Sequence, residues 1–194
     1  AEAVDEYVAI DQQEAFDIEY WLLEEAKLRR MPPEQEMSRQ VAVVIGAGSG
    51  IGKATCHRLL KEGAHVICAD FDSSSSAKTA DELVQKVGLG IGVAGTGLSS
   101  CGPTLARTVN MTDRESVCSL FDDVVLAYGG MDTLIVTAGI FFPPDDAGRI
   151  SDSQWRQTYD VNVIGPAIIA EEAQQVWLRQ GLPANLILTS SVNA

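Results

Sequence analysis

The segment VAVVIGAGSGIG, residues 41–52, limits the possible folds of this chain more than any other feature. Its first five residues are wholly apolar and mostly β-branched, which is typical of a strand buried on both faces of a sheet. The pattern IGKATCHRLLKEG then predicts a helix that ends at Gly63. The next apolar run, HVICAD, ends in Asp70, 20 residues beyond Gly50. A strand, a glycine loop, a helix and a strand that ends in an acid predict a nucleotide-binding βαβ unit.

The residue types suit a dinucleotide. Glycines let the backbone approach a pyrophosphate, and the N–H groups at a helix start attract it. A carboxylate at Asp70 accepts hydrogen bonds from the ribose hydroxyls, and it repels the 2′-phosphate of NADP. Because Phe71 and not an arginine follows, we expect NAD as the cofactor. In the alternative interpretation, Asp70 only caps a turn.

A second glycine run, GIGVAG at residues 90–95, matches the pattern G-x-G-x-x-G letter for letter. A helix is predicted before it, and Asn110 instead of an acid closes the strand that follows. A helix-to-strand connection lies at the sheet edge opposite to the ligand edge. We therefore expect a flexible glycine-rich linker here and the phosphate loop at residues 46–52.

Strands and helices alternate through the rest of the chain. Thr112 and Glu115 predict a capping box for a helix to about Tyr128, and Ser151 with Gln154 predicts one for a long helix to about Arg179. The remaining predicted elements are a helix at 77–87 and strands at 105–110, 132–139 and 184–191. This order predicts a Rossmann-type, doubly wound parallel α/β sheet in three layers, incomplete at the C-terminus.

Residues 1–38 form a separate region in this scheme. The pattern EAFDIEYWLLEEAKLRR predicts a helix that stops at Pro32, followed by a polar linker. We therefore expect an N-terminal helical extension at 1–38 and a nucleotide-binding domain at 39–194.

Composition excludes several functions. The net charge of −13 argues against nucleic acid or an anionic membrane as a partner. No signal sequence and no apolar run of about 20 residues are present, so we expect a soluble, cytoplasmic protein. The four cysteines and two histidines lack metal-ligand spacing, which predicts no metal site and reduced, buried thiols.

The glycine spacing resembles the TGxxxGxG motif of the short-chain dehydrogenase/reductases, with Ile45 where threonine is usual. GGMDTLIVTAG (129–139), DVNVIG (160–165) and LILTSSVNA (186–194) are similar to that family's later landmarks and occur in its order. The resemblance implies Asn162 and Ser191 as catalytic residues, although Ser191 taken alone is an ordinary serine at a strand end. The cofactor-binding residues that it implies are Gly46, Ser49, Gly50, Ile51, Gly52, Asp70, Phe71, Asn110, Met111, Ala138 and Gly139.

The family's chemistry needs a tyrosine base, with a lysine four residues later that lowers its pKa. None of the four tyrosines in the 194 residues has a lysine at that distance. We therefore expect no turnover of an alcohol or aldehyde by this polypeptide alone. Pro166 cannot donate a hydrogen bond to the Asn162 carbonyl, which in the family binds a relay water. A kink tolerated for packing near Gly165 explains the proline equally well.

A narrower resemblance joins EAFDIEYWLLEEAKLRRMP with GIGVAGTGLSSCGP and LTSSVNA. Together they resemble the dehydrogenase half of bifunctional rhamnulose-1-phosphate aldolase/short-chain dehydrogenases. This implies oxidation of a small hydroxy-aldehyde such as lactaldehyde in L-rhamnose breakdown, beside a fused aldolase domain. The alternative is a non-catalytic nucleotide-binding or scaffolding module that serves such an aldolase. Family members pair through the long helix, which implies a homo-dimer or homo-tetramer.

Overall fold

The computed structural model describes residues 11–19, 29, 35–87 and 104–191. The chain divides into two compact units, residues 1–34 and 35–194. In the first unit, helix α1 spans Gln12–Glu19, and the Asp11 carboxylate accepts a hydrogen bond from the Gln13 N–H at 2.7 Å. The predicted stop at Pro32 lies outside the described residues, and the boundary at residue 38 stays a prediction.

The second unit is a parallel five-stranded sheet with helices on both faces. Its elements are β1 (Val41–Ile45), α2 (Gly50–Lys61), β2 (His65–Asp70), α3 (Ser73–Val87), β3 (Thr104–Thr108), α4 (Arg114–Tyr128), β4 (Thr133–Val136), α5 (Asp152–Tyr159), a π-helical turn (Asp160–Ile164), α6 (Gly165–Gln180) and β5 (Asn185–Leu188). The strand order is β3-β2-β1-β4-β5, and every neighbouring pair is parallel. The predicted doubly wound α/β class is confirmed.

Alternate residues of β1 feed two separate hydrophobic cores. Val43 and Ile45 pack with residues of α4 and α6, such as Phe121 and Ile169. Ala42, Val44 and their neighbours pack on the other face with residues of α2 and α3. Every residue of β1 is buried, as expected for a strand covered on both faces.

Two predicted helix starts are wrong. Helix α4 is capped by Asp113, whose side chain accepts from the Glu115 N–H at 3.1 Å, because Thr112 instead donates its hydroxyl proton to Asn110 Oδ1 at 2.8 Å. Helix α3 begins four residues before the predicted 77, at Ser73. The Asp72 carboxylate accepts hydrogen bonds there from Ser74 and Ser75. These bonds lower the pKa of Asp72, and the bond from the Ser75 hydroxyl has the largest effect.

The helix that follows Ser151 carries the predicted capping box with Gln154, but it is not uniformly α-helical. Residues Asp160–Ile164 form a π-helical turn, in which the Gly165 N–H donates to the Asp160 carbonyl five residues back. Regular α-helix then resumes with Pro166 in its first turn. Proline has no N–H to donate, and it lies next to the point where the helix changes from π-helical to α-helical hydrogen bonding.

The glycine run at 90–95 lies outside the described residues, and so does Cys101. Helix α3 precedes that run and β3 follows it, as predicted. Cys56 and Cys68 are buried free thiols, and Cys118 is partly exposed. Among the described helices, none combines the length and the apolar character that crossing a membrane requires.

Candidate nucleotide-binding site

An open cleft of about 1090 Å³ lies where β1, β2 and β4 end. All eleven residues predicted to bind the cofactor line it. They come from four separate segments: the glycine loop, the end of β2, the residues after β3 and the residues after β4. The parallel sheet brings these segments together because the carboxyl ends of its strands meet at one edge.

The glycine loop passes so close to other backbone that side chains are excluded at two positions. Gly46 has φ +91°, and a Cβ there would lie 2.6 Å from the Ala138 nitrogen. A Cβ on Gly52 would lie 2.0 Å from the Gly46 carbonyl oxygen. Gly50, with φ +50°, has no atom within 4 Å of its Cβ position. The loop is therefore packed tightly on its inner side and open at Gly50.

Helix α2 begins at the open side of this loop. Its N-cap residue Ser49 makes no side-chain capping hydrogen bond, and its first turn contains no acidic residue. The first N–H groups of a helix have no intrahelical acceptor and attract anions. Since Ser49, Gly50, Ile51 and Gly52 line the cleft, this helix start is suited to a phosphate group.

The Asp70 carboxylate is held against the same loop. Its Oδ2 accepts from the Gly48 N–H at 2.8 Å, and its Oδ1 accepts from the Asp72 N–H at 3.0 Å. The bond from the Gly48 N–H links the carboxylate to the glycine loop. The bond from the Asp72 N–H caps the turn after β2, as the alternative interpretation of Asp70 expects. Each carboxylate oxygen can accept a further hydrogen bond. Phe71 follows Asp70 in the sequence, lines the cleft and is 76% exposed.

Asn110 and Met111 form the next part of the wall. Asn110 Oδ1 accepts two hydrogen bonds from Thr112, and its Nδ2 has no partner among the described residues. Met111 is 6% exposed. Its side chain packs against α6 so closely that a Cβ added to Gly165 would lie 2.9 Å from the Met111 Cε. The asparagine thus has a free donor at the cleft, whereas the methionine is chiefly a core residue.

Ala138 and Gly139 line the cleft after β4, and Asn162 fixes the residue that follows them. Its Nδ2 donates to the Ile140 carbonyl at 2.8 Å, and its Oδ1 accepts from the Ile140 N–H at 2.9 Å. Asn162 itself is not among the residues that line the cleft. The predicted catalytic asparagine therefore binds a residue of the cleft wall without lining the cleft itself, and its catalytic role stays a prediction.

Ser191 follows the end of β5 and is exposed. It does not line the cleft, and its catalytic role stays a prediction. Asp132, in contrast, lies at the opposite edge of the sheet, where its carboxylate accepts from the Val41 N–H at 2.7 Å. This contact with the backbone at the start of β1 indicates a structural role for Asp132.

Sequence reasoning missed one wall of the cleft. The first turns of α5 and the π-helical turn contribute Asp152, Ser153, Arg156, Gln157, Asp160 and Val161. These positions recur at intervals of three and four residues, which is the spacing of one helix face. This spacing is a signal that the sequence contains. Whether that helix face points toward the cleft depends on how the helix packs against the sheet. Thr137 was also missed, because its importance depends on contacts with the glycine loop.

The fold defines a Rossmann-type α/β domain, and the cleft lies at the sheet edge where ligands bind in such folds. Residues 40–194 match the family described as short chain dehydrogenase, and the chain belongs to that family. Residues 1–28 match the second domain of class II aldolases. The two regions therefore match different family models.

Three comparisons illustrate the relationship. The chain is 33% identical to the uncharacterized oxidoreductase YuxG of Bacillus subtilis, over all of this chain and 26% of that protein. It is 31% identical to sorbitol-6-phosphate 2-dehydrogenase of Escherichia coli, over 78% of this chain and 54% of that enzyme. The crystal structure of sorbitol-6-phosphate 2-dehydrogenase from Erwinia amylovora superposes with a TM-score of 0.66 at 26% identity, over 77% of this chain and 54% of that one. The chain thus spans about a quarter to a half of the length of these relatives.

Proposed function

We propose that this chain is the NAD-binding part of a short-chain dehydrogenase that transfers hydride between NAD and a small hydroxy-aldehyde or alcohol. The observation that carries the proposal is the Asp70 carboxylate, held by the Gly48 N–H at the end of β2 and facing the cleft. A fixed carboxylate beside a glycine loop suits the two free hydroxyls of the adenosine ribose. It disfavours a 2′-phosphate through charge repulsion.

The cleft residues fit the parts of NAD in order. The glycine loop and the start of α2 would hold the pyrophosphate, because side chains are excluded on its inner side and Gly50 is open. Asp70 would bind the adenosine ribose, and Asn110 would offer its free Nδ2 to the adenine. Ala138 and Gly139 would contact the nicotinamide half. When bound, NAD supplies the carbon that accepts or donates the hydride.

Asn162 and Ser191 are proposed as the catalytic residues within the 194 residues. The contacts of Asn162 with Ile140 support a role in fixing the wall beside the nicotinamide half. Ser191 would orient the substrate oxygen. Since no Tyr-x-x-x-Lys occurs in these residues, we expect this polypeptide to bind NAD without turning over a substrate, and rapid turnover by it would contradict this expectation.

The proposed substrate is a hydroxy-aldehyde such as lactaldehyde, formed in L-rhamnose breakdown. The aldolase match at residues 1–28 supports this, because an aldolase that cleaves a sugar phosphate releases an aldehyde that a neighbouring dehydrogenase can oxidise.

The same proposal includes a fused aldolase domain, a cytoplasmic location and pairing into a homo-dimer or homo-tetramer. The exposure of Trp155 on α5 supports pairing through the long helix, and light scattering would test it.

The second candidate is a nucleotide-binding module without catalysis, attached to an aldolase. No Tyr-x-x-x-Lys occurs within the 194 residues, and nucleotide binding alone does not require that pair. The two candidates differ in one measurement. A parent protein that contains this chain oxidises an aldehyde with NAD under the first proposal and only binds NAD under the second.

The binding part is tested by calorimetry with NAD and NADP on wild type, Asp70→Ala and Asp122→Ala. Asp122 is exposed on α4, so its variant removes the same charge outside the cleft. We expect Asp70→Ala to weaken NAD binding by about tenfold or more, since hydrogen bonds to a charged group contribute roughly 1.5–3 kcal/mol. NADP binding should change far less, and Asp122→Ala should change neither. Equal losses for both dinucleotides would overturn the proposed role of Asp70.

A further inference from the structure

Thr137 is the first residue after β4 and lies beside the base of the glycine loop. Its Oγ1 is 3.1 Å from the Ile45 carbonyl oxygen and 3.3 Å from the Gly46 carbonyl oxygen. Its backbone N–H also donates to the Ile45 carbonyl, at 2.8 Å. A hydroxyl has one proton to donate, so the side chain holds one of two successive carbonyls at the turn that starts the loop.

The hydroxyl also occupies the space that the loop encloses. A Cβ on Gly46 would lie 2.8 Å from Thr137 Oγ1, and a Cβ on Gly52 would lie 2.5 Å from it. The first and last glycines of the loop therefore both approach this one oxygen. The loop folds around the Thr137 side chain, which lines the cleft.

On the other side of the turn, its first two residues are held by backbone hydrogen bonds to β2. The N–H groups of Gly46 and Ala47 both donate to the Ala69 carbonyl in β2, at 2.9 and 3.0 Å. The turn is thus fixed between β2 and β4, and the Thr137 hydroxyl is the side-chain contribution from the β4 side, as the Asp70 carboxylate is from the β2 side. It can be removed by substitution without changing the backbone bonds.

We propose that Thr137 is a positioning residue whose hydroxyl sets the turn at Gly46 and thereby aims the start of α2 at the cleft. The part of this inference that concerns ligand binding rests on the proposed function, because the ligand group expected at the start of α2 is the pyrophosphate of NAD. Its effect on the loop itself does not depend on any ligand. The two effects are measured separately.

The decisive variant is Thr137→Val, which keeps the shape of the side chain and removes the hydroxyl. Thr137→Ser keeps the hydroxyl and serves as the rescue. Thr158→Val is the matched control, because Thr158 Oγ1 donates to the Gln154 carbonyl at 2.8 Å and does not line the cleft. All three are compared with wild type in hydrogen exchange without ligand, and in calorimetry with NAD and with adenosine.

We expect amide exchange of residues 46–52 to be about 3- to 10-fold faster in Thr137→Val, as for one lost hydrogen bond of about 1 kcal/mol, and close to wild type in the other two. NAD should bind Thr137→Val about 3- to 10-fold more weakly. Adenosine, which lacks the pyrophosphate, should bind within about twofold of wild type. A merely structural role would weaken both ligands alike.

Unchanged exchange in Thr137→Val would overturn the inference. The inference would also be overturned if Thr137→Ser weakened NAD binding as much as Thr137→Val does. The same holds if Thr137→Val weakened the binding of NAD and of adenosine equally. If wild type binds no NAD while exchange responds as expected, the proposed function fails and the role of Thr137 in the loop is upheld.

Discussion

The carboxamide of Asn162 pairs with both backbone groups of Ile140, donating from Nδ2 at 2.8 Å and accepting at Oδ1 at 2.9 Å. This pairing joins the π-helical turn to the segment after β4. Gly139 lies next to it, since a Cβ there would be 3.3 Å from Asn162 Oδ1. The Asn162 side chain therefore fixes the π-helical turn relative to the segment that forms this wall of the cleft.

Replacing Asn162 by leucine should destabilise the protein by about 1–2 kcal/mol, because two net hydrogen bonds of roughly 0.5–1.5 kcal/mol each are lost. Ile140 is only partly buried and Asn162 is exposed, so water can replace part of these hydrogen bonds and limits the loss. Urea unfolding measures it, with the exposed Gln174→Ala on α6 as the control. A variant as stable as wild type would show that the pairing contributes nothing.

The glycines of the loop should differ in what they tolerate. Gly50→Ala adds a methyl to open space at φ +50°, which costs about 1 kcal/mol. Gly52→Ala places a methyl 2.0 Å from a backbone carbonyl, and we expect about 3 kcal/mol, near the upper end for overpacking. Chemical denaturation compares the two.

Gly148→Ala is the matched control for Gly50→Ala, because Gly148 also has positive φ (+74°) and an open Cβ position. The two should lose similar stability, but only Gly50→Ala should weaken NAD binding, since Gly148 does not line the cleft. If both variants bind NAD equally well, the phosphate does not lie against Gly50.

Acid should weaken the contact between α4 and α6. Arg114 pairs with Glu171 at 2.7 Å and with Glu172, and the hydrogen bond from Arg114 lowers the pKa of Glu172 below its ordinary value of 4.5. A lowered pKa contributes stability that is fully present above pH 4.5 and is lost as the pH falls through the folded value. Wild type should therefore exceed Glu172→Gln in stability at pH 7, and the difference should shrink below about pH 4.5.

Urea unfolding at pH 7, 5 and 3.5 tests this, with Arg114→Met as the second variant. In the Arg114→Met background, Glu172→Gln should cost less at pH 7 and its effect should vary less with pH. A pH dependence that persists without Arg114 would assign the effect to another group.

The buried thiols should resist modification. The hydrogen bond with Cys68, together with burial, raises the pKa of Cys56 far above its ordinary range, and the thiolate is the reactive form. Iodoacetamide at pH 8 should label Cys56 and Cys68 only after unfolding, as read by peptide mass spectrometry. Labelling of Cys56 in the folded protein, at the rate seen in denaturant, would contradict this prediction.

Much of the cleft was predictable from local patterns. Gly46 and the residues at 49–52, 70–71, 110–111 and 138–139 all line it, because each segment follows a strand and parallel strands present their carboxyl ends together. Helix starts were less predictable. Thr112 and Asp113 are both good capping residues, and the choice between them depends on Asn110, which binds the Thr112 hydroxyl.

The sequence by itself determined the succession of strands and helices along the chain, the glycine loop at 46–52 and the acid at the end of β2, because periodicity, glycine spacing and strand ends are local properties of the chain. Only the tertiary structure decided that Asn162 binds Ile140, that Thr137 holds the glycine turn, and that one face of α5 forms a cleft wall. These contacts join residues 22 to 92 positions apart. Their geometry depends on the packing of helices against the sheet, which no local pattern encodes.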